Sequence, residues 1–253
     1  MAEQAPSARV AIITGGSRGI GRATAMAAAR RGWRVVIGYA SNEEAARETV
    51  VAVELAGGRA LAVKCDVGVE ADILALFKAA DGFGPLGALV NNAGIVGPTA
   101  RVEDFSAARI DRIMRVNVTG SFLCAREAVR RMSTRHGGQG GVIVNLSSVA
   151  ALLGSANTYV DYAASKGAID TLTIGLAQEV AAEGIRVAGI RPGLIDTDIH
   201  ASGGDPDRHH RLAGSVPMRR IGTADEVANA IVWLISDEAS YVTGATLNVS
   251  GGR

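Results

Sequence analysis

The chain has 253 residues, 48% of them hydrophobic, and a formal net charge of +1, so it is long enough to bury one substantial core as a single α/β domain. Near-neutral charge without a concentrated Lys/Arg cluster excludes nucleic acid as a main partner, and no uninterrupted apolar run is long enough to span a bilayer. The start, Met1 to Ser7, is polar and lacks a signal-peptide core, which sets the expectation of a cytoplasmic protein with no membrane association.

In chain order, the apolar, β-branched run over 9–14 predicts a strand, followed by a glycine turn and an Ala-rich helical pattern over 19–31 that ends at Gly32. The alternation continues with strands over 35–39, 60–64 and 88–91 and helices over 42–56 and 70–80. Further strands are predicted over 142–146, 185–190 and 245–249, separated by helical stretches at roughly 105–134, 158–182 and 223–236. Repeated βα units predict a parallel sheet. Strands such as Val142-Ile143-Val144 are apolar throughout, as when helices cover both faces. The expected fold is therefore α/β, one doubly wound Rossmann-type domain over 1–253 with a parallel sheet of about seven strands. Arg130, Arg131 and Arg135 read as a solvated helix end, and Cys65 and Cys124, each in an apolar stretch, as buried thiols. The irregular stretch 193–217 reads as a surface flap that could close over a site beyond the strand ends.

Directly after the first strand comes Thr14-Gly15-Gly16-Ser17-Arg18-Gly19-Ile20-Gly21, opening a helix. Glycines there let the backbone turn tightly and approach a pyrophosphate, which the helix N–H groups and dipole stabilise. The second strand ends Ile37-Gly38-Tyr39-Ala40-Ser41-Asn42, with no acid to bind ribose hydroxyls and repel a 2′-phosphate. Arg18 can pair with such a phosphate, and Ser41 and Asn42 can donate to it. NADP(H) is thus the favoured cofactor and NAD(H) the alternative; Glu43 and Glu44 are assigned to the start of the next helix, where acids suit its dipole.

Tyr162 and Lys166 are four apart in a helical stretch, so they share a face. An ammonium near a phenol favours the phenolate, and Tyr162 can then act as general acid in reduction and general base in oxidation. Tyr159 has only Ala163 four residues on, and is assigned to the edge of the substrate pocket. Ser147 and Ser148 end the fifth strand on alternating faces, so one of the two enters the cleft.

The glycine turn is spaced G-x-x-x-G-x-G rather than G-x-G-x-x-G. With Asn91-Asn92-Ala93-Gly94 after the fourth strand and Tyr162-Ala163-Ala164-Ser165-Lys166 on a later helix, the chain from Val10 to Gly252 resembles the short-chain dehydrogenase/reductase family. Asp66-Val67, Asn117 and Pro192-Gly193 with Thr197 follow in family order. Likeness to 3-oxoacyl-carrier-protein reductases and to glucose and other sugar dehydrogenases is comparable. The resemblance implies a homo-oligomer, tetramer or dimer, that exchanges a hydride between nicotinamide and a small-molecule carbonyl or alcohol. Gly15, Ser17, Arg18, Gly19, Ile20 and Gly21 would cradle the cofactor, Asp66 and Val67 would hold the adenine, and the backbone of Asn92, Ala93 and Gly94 would line the cleft. Pro192 and Gly193 would lie against the cofactor, with Ile195 and Thr197 on the nicotinamide amide. Lys166 would also bond the nicotinamide ribose, Ser148 is the serine the family pattern selects to donate to the substrate oxygen, and Asn117 would hold a water linking Lys166 to solvent. The Ser148–Tyr162 segment is one residue longer than the family's usual spacing.

His200, His209 and His210, with Asp205 and Asp207, suggest a metal site, but no i, i+4 pair preorganises one and no metal is expected. A regulatory protein that senses NADP(H) without turnover would not need Tyr162, Lys166, Ser148 and Asn117 together, and a purely structural oligomer unit would need none of them. Substrate identity is not legible in the sequence.

Overall fold

Side chains of the first strand, β1 (Val10–Thr14), divide between two cores. Ala11 and Ile13 pack into one, Val10 and Ile12 into the other, and all four are fully buried, because successive side chains on a strand point to opposite faces. The same layering governs β2 (Arg34–Tyr39), β3 (Arg59–Lys64), β4 (Leu86–Asn91), β5 (Gly141–Leu146) and β6 (Ile185–Pro192), and the edge strand β7 (Thr246–Val249) packs only Val249 against the first core. In the computed structural model, which describes residues 9–197 and 212–253, these form one seven-stranded sheet, all parallel, ordered β3-β2-β1-β4-β5-β6-β7. The order reverses between β1 and β4, and a crevice opens there beyond the carboxyl ends of the strands.

Among the described residues the α-helices, in chain order, are α1 (Gly19–Arg30), α2 (Glu43–Leu55), α3 (Glu70–Asp81), α4 (Ala107–Met114), α5 (Gly120–Met132), the single turn α6 (Ala150–Leu153), α7 (Val160–Val180) and α8 (Ala224–Leu234). One core gathers Ala25 and Ala28 of α1, Val53 of α2 and Ile231 of α8; the other gathers Phe77 of α3, Met132 of α5 and Val180 of α7. The doubly wound fold is as expected. Helix starts follow from local chemistry. Asn42 caps α2 by accepting from the N–H of Ala45 at 2.9 Å, with Glu43 and Glu44 in the first turn, and Thr223 with Glu226 forms a capping box on α8.

Two readings need correction. The stretch over 105–134 is not one regular helix: Arg115–Thr119, between α4 and α5, is a π turn, a local widening that period-3.6 patterning does not reveal. The basic cluster is not simply solvated either. Arg130 and Arg131 bond the buried carboxylate of Glu127, and Arg131 also forks onto Asp81, since a buried carboxylate demands cationic partners. Arg130 and Arg135 stay exposed, Arg135 lying 3.9 Å from Glu183, whereas Arg131 is half-buried. Cys65 and Cys124 are buried as free thiols; burial pushes both thiols up, Cys65 to about 12. Among the described residues no helix is long and apolar enough to cross a membrane.

Candidate active site

The crevice is a cleft of about 600 Å³, within the usual size of small-molecule sites. Its floor is the turn after β1. Gly15 and Gly19 adopt φ of +65° and +52°, which glycine reaches without cost. A Cβ on Gly21 would lie 2.2 Å from the Gly15 carbonyl oxygen, so only glycine lets α1 seat against the turn. Thr14 Oγ1 accepts the N–H groups of Asn92 and Ala93 at 3.1 and 3.0 Å, and the Asn92 amide donates to the carbonyls of Thr14 and Gly15 at 2.8 and 3.0 Å. The turns after β1 and β4 are thereby locked together. The first turn of α1 contains no acid, and its N-cap, Arg18, makes no side-chain capping bond, so no carboxylate within that turn offsets the positive end of the helix. This cradle fits a dinucleotide pyrophosphate.

Ser17, Arg18, Ile20, Ser41, Asn42, Asp66, Val67 and Gly94 also line the cleft. Asp66 ends a tight loop: Oδ1 accepts from the N–H of Gly68 at 2.8 Å and Oδ2 pairs with Arg112 at 2.9 Å. Despite partial burial, the Gly68 and Arg112 bonds hold its carboxyl below the usual range. Arg112 itself lines the cleft. No sequence signal marked it, because 46 residues separate it from Asp66.

At the other end of the cleft, α7 begins at Val160, which puts Tyr162 in its first turn and Lys166 one turn on. The neighbouring serines diverge as their alternation requires. Ser147 Oγ donates to the backbone carbonyl of Lys166 at 3.0 Å, whereas Ser148 Oγ accepts the N–H of Ala150 at 3.1 Å and stands beside the Tyr162 hydroxyl. Lys166 Nζ donates to the Leu146 carbonyl at 2.7 Å and lies 5.6 Å from the Tyr162 ring centroid. The sequence predicts that the ammonium lowers the phenol; in the structure burial pushes the phenol up, and the opposing influence comes from Ser148. Burial also brings Lys166 down to about 8, against a smaller opposing effect of Asp170. Between Ser148 and α7, Gly154, Ser155 and Asn157 take left-handed conformations with φ of 72°, 50° and 60°, which fold this long segment back so that Tyr159 reaches the cleft.

Asn117 sits in the π turn with its amide fully engaged. Oδ1 accepts from the N–H of Ile95 at 2.8 Å, and Nδ2 donates to the Ile95 carbonyl and to Ser165 Oγ at 2.9 and 3.0 Å. The side chain therefore pins the strand-like segment after β4 to α7. From the end of β6 onward, Pro192, Gly193, Ile195 and Thr197 line the cleft; a bridge from Ile195 to Gly222 fixes this segment, and Thr197 packs close to Gly19. Within the expected flap, residues 198–211 lie outside the described residues, and with them His200, Asp205, Asp207, His209 and His210. Among the described residues no group of His, Cys, Asp and Glu could hold a metal ion.

A family model described as enoyl-(acyl carrier protein) reductase matches residues 15–253. The uncharacterized oxidoreductase YgfF of Escherichia coli K12 is 55% identical over 245 residues, covering 96% of this chain and 99% of that protein. Glucose 1-dehydrogenase 2 of Bacillus subtilis is 39% identical, covering 96% and 94% of the two chains. Among solved structures, a short-chain dehydrogenase from Burkholderia cenocepacia in complex with NADP superposes with a TM-score of 0.88 at 31% identity, covering 96% of this chain and 97% of that one.

Proposed function

Since this chain belongs to the short-chain dehydrogenase/reductase family of oxidoreductases, we propose that it moves a hydride between NADP(H) and a carbonyl or secondary alcohol carbon, with Tyr162 as the group that gives or takes the proton. The observation that carries this reading is that Ser148, Tyr162 and Lys166 line the same cleft as the glycine turn, with Ser148 beside the Tyr162 hydroxyl. The nicotinamide supplies the hydride, or receives it, when bound. Ser148 donates to the substrate oxygen and stabilises the charge that grows there, while Tyr162 transfers the proton. Lys166, with its proton affinity brought down to about 8, can give up or hold a proton near the phenol in the neutral to alkaline range.

Preference for NADP(H) is supported by Arg18 in the turn and by the absence of an acid over Tyr39-Ala40-Ser41-Asn42. Ile95, Val96, Val149, Leu153 and Leu194 contribute apolar surface to the cleft, so apolar ketones are the first compounds to assay. The test is titration with NADPH and NADH, followed by reduced-cofactor oxidation with ketones, 3-oxoacyl thioesters and sugars, for the parent and Tyr162→Phe. Turnover by the parent and its loss in Tyr162→Phe, with cofactor binding kept, supports the reading; equal turnover by both overturns it.

A further inference from the structure

Asp161 directly precedes Tyr162, and its side chain is 2% exposed. Arg109 of α4, 52 residues away, holds it with a fork: Nε donates to Oδ2 at 2.7 Å and Nη2 to Oδ1 at 3.2 Å. Oδ1 also accepts the N–H of Tyr162 at 2.9 Å. The remaining arm, Nη1, donates to the Pro98 carbonyl at 2.7 Å, and the guanidinium lies over the Phe105 ring, 3.8 Å from its centroid. Gly97 lies so close that a Cβ there would be 2.9 Å from the guanidinium carbon. One side chain thus joins the loop after β4, helix α4 and the first turn of α7.

Those elements carry facing walls of the cleft. Ile95 and Val96 line it from the loop after β4, and Thr158, Tyr159 and Tyr162 from the start of α7. Ala100 N–H donates to the Thr158 carbonyl at 3.1 Å, and Arg101 reaches Asn157 at 3.3 Å, stitching the same two segments further out. A buried ion pair adds little stability over apolar side chains of similar volume, because desolvation offsets the attraction. What the fork supplies is direction, since a planar guanidinium meets a carboxylate in one orientation. We propose that Arg109 and Asp161 are a positioning pair that sets the Tyr162 hydroxyl against the reacting carbon and holds the Ile95–Val96 wall at the matching distance. The proposal rests on the reading of Tyr162 as the proton-transferring residue.

Two variants test it on the full chain. Asp161→Asn keeps the shape and the acceptor for the Tyr162 N–H but removes the charge; Arg109→Lys keeps the charge but cannot fork, and carries the test alone if Asp161→Asn does not fold. With the best-turned-over carbonyl, kcat should fall about 100-fold in either variant, the loss expected when a reacting group is misplaced by a fraction of its contact distance. NADPH affinity, measured by fluorescence titration, should stay at the parent value. A readout independent of turnover is the ultraviolet titration of the Tyr162 phenol, taken as parent minus Tyr162→Phe and as each variant minus its own double variant with Tyr162→Phe. It should move to higher pH as the Ser148 contact loosens. A folded variant with parental kcat and parental phenol titration overturns the proposal, as does loss of NADPH affinity in step with kcat. If Tyr162→Phe itself turns over normally, the reading of Tyr162 fails; if it is inactive while both variants keep parental kcat, only the role of the pair fails.

Discussion

Ser147 and Ser148, adjacent just after β5, face groups one helical turn apart: Ser147 Oγ donates to the carbonyl of Lys166, and Ser148 stands beside the hydroxyl of Tyr162. One fixes the helix backbone, the other meets its reactive side chain. Ser148→Ala should therefore lower kcat by about 100-fold or more with NADPH binding unchanged, as when a donor to a developing oxyanion is removed. Ser147→Ala should instead cost about 1 kcal/mol of stability, the net worth of one hydrogen bond, seen by thermal unfolding. Equal kcat losses in the two variants would contradict the division.

Arg18 offers a test of cofactor preference. If it contacts the 2′-phosphate, Arg18→Ala should weaken NADPH binding about tenfold, the equivalent of one charge-assisted bond, and leave NADH binding as it was. Fluorescence titration with both cofactors decides this, and parallel weakening of both would remove Arg18 from that contact.

Lys166 makes stability depend on pH in a definite direction. Its proton affinity is brought from 10.5 to about 8 by burial, so below pH 8 the folded chain bears the cost of a buried ammonium. Between about 8 and 10.5 the unfolded chain still binds a proton that the folded one has released, and this group's contribution rises with pH, by about 3 kcal/mol in all. Denaturant unfolding of the parent and Lys166→Met across that window should show the rise only in the parent, after subtraction of the tyrosine and cysteine titrations common to both.

A buried amide ladder crosses the sheet near the site. Asn91 Nδ2 donates to Asn145 Oδ1 at 2.9 Å, and Asn145 Nδ2 donates to Thr173 Oγ1 at 3.0 Å, with Asn145 fully buried. Asn145→Val leaves polar groups on both neighbours without that partner. A loss of about 2 kcal/mol or more is expected in chemical denaturation, with an unchanged m-value if the fold is kept.

The layered fold was legible because helix and strand periodicities differ and each βα unit repeats the contrast. The glycine turn and the Tyr162–Lys166 pair were legible because their partners lie within one or two helical turns. The pairings of Asp66 with Arg112 and of Asp161 with Arg109 span 46 and 52 residues; they depend on how α4 docks, which no local pattern encodes. The upward push on the Tyr162 phenol was not legible for a related reason, since desolvation depends on the whole cleft and not on a spacing of four.

The π turn at Arg115–Thr119 has a consequence for engineering. Removing one residue there would let the chain from Ala107 to Met132 run as an unbroken α-helix, a locally more regular element. Each residue in such a helix turns the chain by about 100°, so the excision would swing the Asn117 amide away from Ile95 and Ser165. A library selected only for heat resistance could accept that deletion, and the smoother helix would come with a misaligned enzyme.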